Sequence, residues 1–376
     1  MRQGPHGGEI YAFARLSGTD PARILDCSSN PNIFARDLTA DLVARTPYPF
    51  EHYPDSGCAG LREALAGHEN MPPAGILPGN GAAELIRVFL HTVAPRRVVF
   101  LGPVFSEYVA ACRALGIPYD IVAPKAENDF EPGVQDMRAL GESGAELAIL
   151  CCPNNPGAAT YADLPAILHG IAAPRILLDC SYREFLFGSP AYAASTHAGL
   201  ANVLRPGASL FTLHSFTKFF CCPGIRLGYI MGDHRLLERM DALRAPWTVD
   251  PFSQLMGRLF LEHIEEYRAT LPALSDAIAH LGRELRLSGL FDPERVLEGP
   301  GFVTARLLPP LRAEAVYLAL QKRRILVRCC DPIPGMPPGF LRIQARPEAD
   351  TTRLLAKLTE AARELGAPPS YPRRGG

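Results

Sequence analysis

The middle of the chain alternates short apolar runs with segments of helical periodicity. The apolar runs predict strands within residues 96–103, 117–124, 146–157, 174–182, 208–216 and 226–232, and helical patterns at 106–116, 163–172 and 234–244 lie between or after them. Strands that are apolar throughout, without polar alternation, are typical of a parallel sheet that is covered on both faces. The pattern therefore predicts an α/β fold with a mostly parallel central sheet.

The pattern changes after residues 245–252. A helical segment is predicted over residues 253–285, followed by a strand at 302–308, a helix at 313–323, strands at 325–330 and 340–347, and a helix at 352–365. This order indicates a smaller α+β unit. We therefore predict a large domain over 46–245 and a small C-terminal domain over 246–376. Residues 1–45 contain no complete strand–helix unit and are predicted to pack as an arm with the small domain.

Composition and charge exclude several classes of partner. The 376 residues carry 38 basic and 39 acidic side chains without a basic run, which argues against nucleic acid or an anionic membrane as the main partner. No apolar window reaches the roughly 18 residues of a membrane span, and the first residues lack a signal-peptide core, so we predict a cytoplasmic protein. The ten cysteines include no C-x-x-C pair. We interpret them as buried packing residues, and no metal site is predicted.

Lysine is rare in this chain, which narrows the search for amine chemistry. The four lysines are Lys125, Lys218, Lys322 and Lys357, and three of them lie in polar or charged surroundings. Only Lys218 lies in a strongly apolar stretch, HSFTKFFCCPGIRLGY at residues 214–229. Burial disfavours the charged form of an amine, so Lys218 is the candidate for a reactive amine with a lowered pKa.

Polar residues gather at the ends of the predicted strands, where open α/β sheets collect ligands. Each has an ordinary structural interpretation: Asp179 could cap a helix, Asn155 could stabilise a turn, and Tyr108 could be a packing aromatic. The GNG turn at 79–81 could likewise be a simple loop–helix junction, although its free N–H groups also suit an anion. Ser215, Lys218 and Arg226 place a hydroxyl, an amine and a guanidinium within twelve residues.

One ligand, pyridoxal 5′-phosphate, accounts for these groups together. It needs a lysine for its aldehyde, a carboxylate beside its pyridine nitrogen, donors to its ring oxygen and donors to its phosphate. In this interpretation Lys218, Asp179 and Tyr108 are catalytic, with Tyr108 stacking on the ring. The remaining predicted cofactor residues are Gly79, Asn80, Gly81, Asn155, Tyr182, Ser215 and Arg226.

The ordered motifs GNG, Tyr108, NNPG, D-x-x-Y, S-x-x-K and R-x-G-Y resemble those of the fold type I pyridoxal phosphate enzymes, the aspartate aminotransferase superfamily. The resemblance implies a three-layer fold, Lys218 as the Schiff-base lysine and Asp179 as the partner of the pyridine nitrogen. It also implies that Asn155 and Tyr182 bond the ring oxygen. Ser215 and Arg226 would hold the phosphate, and Ala82 and Ala83, which follow the GNG turn at the start of its helix, would join the cofactor site. Tyr53, in HYPD, is similar to a tyrosine that reaches the neighbouring subunit's cofactor, which implies a homodimer.

Within the superfamily the chain resembles two branches that act on phosphorylated substrates, the histidinol-phosphate aminotransferases and the L-threonine O-3-phosphate decarboxylases of cobalamin synthesis. HGGEIYAFA, ILDCSSNPN, APWTVD and ILVRCC…FLRIQAR favour the decarboxylases. On that resemblance the residues facing a small phosphorylated amino acid are His6, Gly7, Asn30, Asn155, Arg328, Arg342 and Arg346, with Arg342 on the carboxylate.

The same motifs leave other functions open. An aminotransferase of histidinol-phosphate type, or a decarboxylase of a phosphoserine-type or phosphonate amino acid, would use the same groups. Ala158–Ala159 and DCSY depart from the usual Thr-Gly and DEA, which leaves the substrate open. A protein that has kept the fold but lost catalysis is disfavoured by Lys218 and Asp179. A dehydrogenase is disfavoured because no strand is followed by G-x-G-x-x-G.

Overall fold

A computed structural model describes residues 7–367 of the chain. Its strands are β1 (Leu25–Asp26), β2 (Ile76–Gly79), β3 (Val98–Leu101), β4 (Tyr119–Val122), β5 (Leu147–Cys151), β6 (Arg175–Asp179), β7 (Ser209–Ser215), β8 (Gly228–Met231), β9 (Phe291–Gly299), β10 (Phe302–Leu307), β11 (Ile325–Leu326), β12 (Arg328–Cys329) and β13 (Phe340–Gln344). Its helices are α1 (Ile10–Ser17), α2 (Arg36–Arg45), α3 (Ala59–Glu69), α4 (Gly81–Val93), α5 (Ser106–Ala114), α6 (Val134–Glu142), α7 (Leu164–Gly170), α8 (Pro190–Ala194), α9 (His197–Ala201), α10 (Phe216–Phe219), α11 (His234–Leu243), α12 (Pro251–Glu262), α13 (Ile264–Arg268), α14 (Leu271–Leu287), α15 (Ala313–Lys322) and α16 (Glu348–Glu364).

A seven-stranded sheet in the order β2-β8-β7-β6-β5-β3-β4 forms the centre of the fold. Strands β3 to β7 run parallel, and β8 pairs antiparallel with both β7 and β2. The predicted α/β class with a mostly parallel sheet is confirmed. In such a sheet the carboxyl ends of the parallel strands share one edge, which is where ligands bind.

Both faces of this sheet are buried, which explains why its strands read as continuous apolar runs. On β3, Val99 and Leu101 pack into one core with α6, α7 and α9, whereas Val98 and Phe100 pack into another with α4, α5 and α11. Successive side chains of a strand point to opposite faces, so one short apolar run supplies both cores.

The C-terminal part forms a separate antiparallel sheet of β9, β10, β13 and β12 packed against α14, α15 and α16. The N-terminal segment joins this part, because β1 pairs with β11 and the Cys27 carbonyl accepts a hydrogen bond from the Gln344 N–H group at 2.9 Å. Leu25 and Cys27 are buried in the same core as the C-terminal sheet. Residues 25–27 therefore pack with the C-terminal part of the fold.

Two features of the C-terminal part differ from the sequence-based prediction. The single helix predicted over 253–285 is three helices, α12, α13 and α14, with breaks at His263 and at 269–270. Pro272 lies in the first turn of α14, where its missing N–H group costs nothing, but it cannot continue a preceding helix. Strand β9 was not predicted because its polar residues and Pro293 hide the strand pattern. No helix within residues 7–367 is long and apolar enough to cross a membrane.

Candidate active site

A cavity of about 390 Å³ opens at the carboxyl ends of β5, β6 and β7. Cys151, Asp179 and Ser215 are the last residues of these three strands, and all three line the cavity. The C-terminal sheet closes it with residues of β12 and β13, and the N-terminal segment contributes Gly7 and residues 28–30. The cavity therefore lies at the edge of the central sheet where the carboxyl ends of the parallel strands meet, between elements that are distant in sequence.

Lys218 lies on the short helix α10, directly after β7, and its partly buried side chain lines the cavity. Burial, and then the positive charges of Arg342 and Arg226, lower the pKa of this amine from 10.5 to about 8. Its backbone carbonyl accepts a 2.8 Å hydrogen bond from the Asn32 N–H group, which ties α10 to the N-terminal segment. About a tenth of the amine is consequently neutral, and nucleophilic, at pH 7.

Asp179 is a buried carboxylate that is surrounded by donors. Tyr108 Oη donates to Oδ2 at 2.8 Å, and the Ser181 N–H group donates to Oδ1 at 2.9 Å. Burial raises the pKa of Asp179, while the hydrogen bonds from Ser181, Tyr108 and Cys151 oppose that rise. A carboxylate held in this way suits a cationic N–H partner in the cavity.

Tyr182 lies in a hydrogen-bond network within the cavity lining. The amide groups of Asn30 and Asn155 both donate to Tyr182 Oη, at 3.2 and 3.1 Å, and Asn155 Oδ1 accepts from Arg342 Nη1 at 2.6 Å. Because Tyr182 Oη accepts two N–H groups, its own hydroxyl proton is left to donate to a ligand. Asn30 Oδ1 is a buried acceptor without a hydrogen-bond partner among residues 7–367.

Ser215, Arg226 and the start of α4 meet at one place in the fold. Gly228 pairs with both Ser215 and Gly79 across the sheet, which brings β7 next to the turn before α4. A Cβ atom on Gly81, whose φ is +74°, would lie only 2.4 Å from Arg226 Nη2. Glycine at this position therefore lets the guanidinium approach the amino end of a helix, and the two together suit an anion.

Two arginines lie side by side on the C-terminal sheet. Arg328 and Arg342 are cross-strand partners on β12 and β13, both are buried, and both line the cavity. Burial, and then the charge of Arg342, lower the pKa of Arg328 to about 10. Arg342 Nη2 also donates to the Ser28 carbonyl at 2.6 Å, so this residue joins three separate segments around the cavity.

A buried ion pair outside the cavity lining holds the turn that follows β6 in place. Arg183 Nη1 lies 3.2 Å from Glu69 Oε2, and their side chains are only 6% and 3% exposed. Tyr229 Oη donates a further hydrogen bond to Glu69. Because Arg183 follows Tyr182 directly, the ion pair fixes the segment that carries Asp179 and Tyr182.

Most predicted site residues line this one cavity. They are Gly7, Asn30, Ala82, Ala83, Asn155, Asp179, Tyr182, Ser215, Lys218, Arg226, Arg328 and Arg342. The GNG turn itself does not line the cavity but directly precedes Ala82, which does; its residues are Gly79, Asn80 and Gly81. The Asn80 N–H group donates to Glu84 Oε2 at 2.6 Å. The sequence therefore located the cavity, but the Asn80 N–H group is already engaged within the protein.

Three other predicted residues lie outside the cavity lining. Tyr108 is fully buried behind Asp179 and does not line the cavity, which differs from the expected stacking position. Arg346 pairs with Asp350 at 2.9 Å outside the cavity lining. Tyr53 is 79% exposed and stacks on Trp247 with ring centroids 4.6 Å apart. His6 lies outside the described residues.

The cavity also contains residues that the sequence reasoning missed. They are Ser28, Ser29, Phe105, Ser106, Glu107, Cys151, Pro153, Pro156, Ser181, Thr217 and Ile333. Thr217 Oγ1 lies 2.8 Å from Ser215 Oγ, and its position directly before Lys218 was the signal that could have found it. Phe105 and Cys151 carried no such signal, because each reads as an apolar packing residue.

This donor set fits pyridoxal phosphate. The Arg226 guanidinium, two hydroxyls and the amino end of α4 suit the phosphate, and the close approach at Gly81 would be blocked by any side chain. Asp179 suits the pyridine nitrogen, Tyr182 the ring oxygen and Lys218 the aldehyde. Within residues 7–367 no group of three His, Cys, Asp or Glu side chains is placed to hold a metal ion.

Comparisons with known proteins agree with this fit. The threonine-phosphate decarboxylase of Salmonella typhimurium is 29% identical over 365 residues, covering 94% of this chain and 95% of that protein. A histidinol-phosphate aminotransferase of Desulfitobacterium hafniense (strain Y51) is 27% identical over 359 residues, covering 93% and 94%. The structure of the histidinol-phosphate aminotransferase from Clostridium acetobutylicum has the same fold, with a TM-score of 0.74 at 22% identity, covering 91% of this chain and 100% of that one. The family model for aminotransferase class I and II matches residues 35–358, and the chain therefore belongs to this pyridoxal phosphate-dependent family.

Proposed function

We propose that this protein is a pyridoxal phosphate-dependent decarboxylase of a phosphorylated amino acid resembling L-threonine O-3-phosphate, with an amino-alcohol phosphate as product. The observation that carries the proposal is the pair Arg328 and Arg342. They are neighbours across two strands and line the same cavity as Lys218. Two guanidinium groups beside one reactive amine suit an amino acid with two separate anionic groups.

The phosphate and the α-carboxylate of such a substrate match this pair. Arg342 is our choice for the carboxylate because its bonds to Asn155 and Ser28 hold it rigidly over the cavity. Arg328 then faces the phosphate. Histidinol phosphate has no carboxylate, so Arg342 would have no such group to hold while that substrate is bound; in an aminotransferase it would instead hold a carboxylate of the amino acceptor 2-oxoglutarate.

Each residue then has a defined task. Bound pyridoxal phosphate would supply an electron sink for the electrons left on the substrate's α-carbon when a bond there breaks. Asp179 would stabilise positive charge at the ring nitrogen, and Tyr182 would donate to the ring oxygen. Arg342 would hold the carboxylate so that the bond to CO₂ is the one aligned for cleavage, and the Lys218 amine would deliver a proton to the α-carbon.

The alternative is an aminotransferase of histidinol-phosphate type. It is supported by the relative from Desulfitobacterium hafniense, which matches almost as much of the chain as the decarboxylase does. The same residues would serve it if the α-hydrogen, instead of the carboxylate, were aligned for removal. A phosphoserine-type or phosphonate amino acid would also satisfy both arginines.

The choice between these reactions is tested by incubating the purified holoenzyme separately with L-threonine O-3-phosphate, L-serine O-phosphate and histidinol phosphate. CO₂ release and amino transfer to 2-oxoglutarate are assayed in parallel. We expect CO₂ from at least one phospho-amino acid. No CO₂ from either, combined with amino transfer from histidinol phosphate, would refute the proposed reaction.

The role of Arg342 is tested by Arg342→Ala. Loss of a charge-assisted contact to the carboxylate should raise KM at least tenfold, whereas an unchanged KM would reject this role. Arg306→Ala is the matched control, because Arg306 lies on the neighbouring strand β10 but pairs with Glu127 outside the cavity. It should leave KM unchanged.

We also propose that the active protein is a homodimer, located in the cytoplasm, in which Tyr53 reaches the partner's cofactor. Tyr53 and Trp247 are exposed aromatic residues that stack on each other, and Tyr48 and Phe50 beside them are also exposed. Mixing the inactive variants Tyr53→Ala and Lys218→Ala tests this arrangement, because a mixed dimer would contain one intact site. Activity should return on mixing, and a monomer in sedimentation would contradict the proposal.

A further inference from the structure

Ile333 lines the cavity but has no task in the reaction described above. We infer that its side chain contacts the β-carbon of the substrate and makes the protein prefer L-threonine O-3-phosphate to L-serine O-phosphate. Ile333 is thus a residue that determines specificity through an apolar contact. The inference rests on the proposed function, and it selects one of the two phospho-amino acids that the arginine pair alone leaves open.

The C-terminal part of the fold contributes three residues to the cavity lining. Among residues 7–367 these are Arg328, Arg342 and Ile333, two cations and one branched aliphatic side chain. The other apolar residues of the lining come from the large domain, at the start of α4, before α5 and at the end of β5; they are Ala82, Ala83, Phe105, Cys151, Pro153 and Pro156. Ile333 is therefore the apolar residue that shares a wall with both arginines.

The surroundings of Ile333 leave only its side chain for contact with a ligand. Its N–H group donates to the Cys330 carbonyl at 2.9 Å, and its carbonyl accepts from the Met336 N–H group at 3.1 Å. The residue is 8% exposed and belongs to a buried core that includes Cys330, Met336 and Phe340. Because isoleucine is branched at its β-carbon, its χ1 angle is restricted, and the part of the side chain at the cavity has a fixed position.

The turn that carries Ile333 is held against the large domain. The Val104 N–H group donates to the Pro334 carbonyl at 3.0 Å. Gly335 has a φ of +84°, and a Cβ atom there would lie 3.2 Å from the Cα atom of Pro103. Glycine therefore allows the turn to approach the segment before α5 closely. Since both sides of this contact are backbone, Ile333 has little freedom to move away from a ligand that fits poorly.

The two phospho-amino acids differ by one methyl group. In both, the phosphate ester is on the β-carbon, and threonine carries its additional methyl group on that same carbon. With the carboxylate on Arg342 and the phosphate on Arg328, the β-carbon lies between the two anionic groups, beside the wall that also carries Ile333. Burying one methyl-sized group in an apolar pocket changes kcat/KM by about tenfold or more.

Three substrates test the inference on the purified holoenzyme. They are L-threonine O-3-phosphate, L-serine O-phosphate and L-allo-threonine O-phosphate, whose methyl group has the opposite configuration at the β-carbon, and kcat/KM for CO₂ release is measured for each. We expect the wild-type protein to favour threonine phosphate over the other two by about tenfold. Ile333→Ala should lower the threonine-to-serine ratio at least about threefold and leave kcat/KM for serine phosphate within about twofold. Ile333→Val should give an intermediate ratio.

Met336→Ala is the matched control. Met336 lies in the same turn and the same core and is 9% exposed, but it does not line the cavity, so its removal should leave the ratio unchanged. CO₂ release with equal kcat/KM for threonine and allo-threonine phosphate in the wild type would overturn the inference alone. An unchanged ratio in Ile333→Ala, or an equal fall in Met336→Ala, would do the same. No CO₂ from any of the three substrates would refute the proposed function and this inference with it.

Discussion

The Lys218 ammonium group is expected to lose its proton near pH 8 in the cofactor-free protein. Burial and the charges of Arg342 and Arg226 bring its pKa from 10.5 to about 8. That difference corresponds to roughly 3 kcal/mol between the charged and neutral forms, at about 1.4 kcal/mol per pH unit. The amine is therefore prepared for attack on an aldehyde at a pH where an exposed lysine is almost fully protonated.

The small number of lysines makes the measurement direct. Reductive methylation with ¹³C-formaldehyde labels only Lys125, Lys218, Lys322, Lys357 and the N-terminal amine, and ¹³C NMR follows each titration separately. Lys218→Ala assigns the signal. We expect the Lys218 signal to titrate near pH 8. A Lys218 titration at about 10.5 would refute the electrostatic argument.

The same shift predicts how stability depends on pH. Between pH 8 and pH 10.5 the unfolded chain binds the Lys218 proton more strongly than the folded chain does. The free energy of unfolding attributable to this residue should therefore rise with pH across that window, and the contribution should vanish in Lys218→Met. Arg226→Gln should raise the pKa of Lys218, because it removes one of the two positive charges that disfavour the ammonium form.

Two further predictions concern residues that hold the site in shape: Gly81, which lies beside Arg226, and Glu69, which pairs with Arg183. Gly81→Ala should weaken pyridoxal phosphate binding at least tenfold in a fluorescence titration, since its Cβ atom would lie 2.4 Å from the guanidinium that meets α4. Gly116→Ala carries the same positive-φ strain in open space and should leave binding unchanged, so equal losses would contradict the steric argument. Glu69→Gln should lower the free energy of unfolding by about 2 kcal/mol in a urea titration, because the buried Arg183 then keeps only its longer 3.7 Å ion pair with Glu184. The exposed Glu142→Gln should change it by less than about 1 kcal/mol, and similar losses in both variants would refute the role of burial.

Local sequence predicted an element correctly where the residues of that segment alone indicate its structure. The apolar runs predicted six of the seven strands of the central sheet, β3 to β8, because both faces of those strands are buried and each run is visible without its neighbours, whereas β2 was missed. Lys218 stood out because an amine in an apolar stretch is costly unless it is used. Strand β9 and the breaks between α12, α13 and α14 were missed, because packing partners and single non-helical residues decide them.

The residues of the site likewise fall into two groups: those that local motifs predict and those whose positions only the fold determines. The sequence by itself determined the fold class and the residue types around Lys218 and Asp179, since strand ends and turn motifs are local properties of the chain. Tertiary structure alone decided that Arg346 pairs with Asp350, that Tyr108 donates a hydrogen bond to Asp179 from the core, and that Phe105 lines the cavity. Which way a side chain points at the end of a strand depends on what packs behind it, and that neighbour comes from a distant part of the chain.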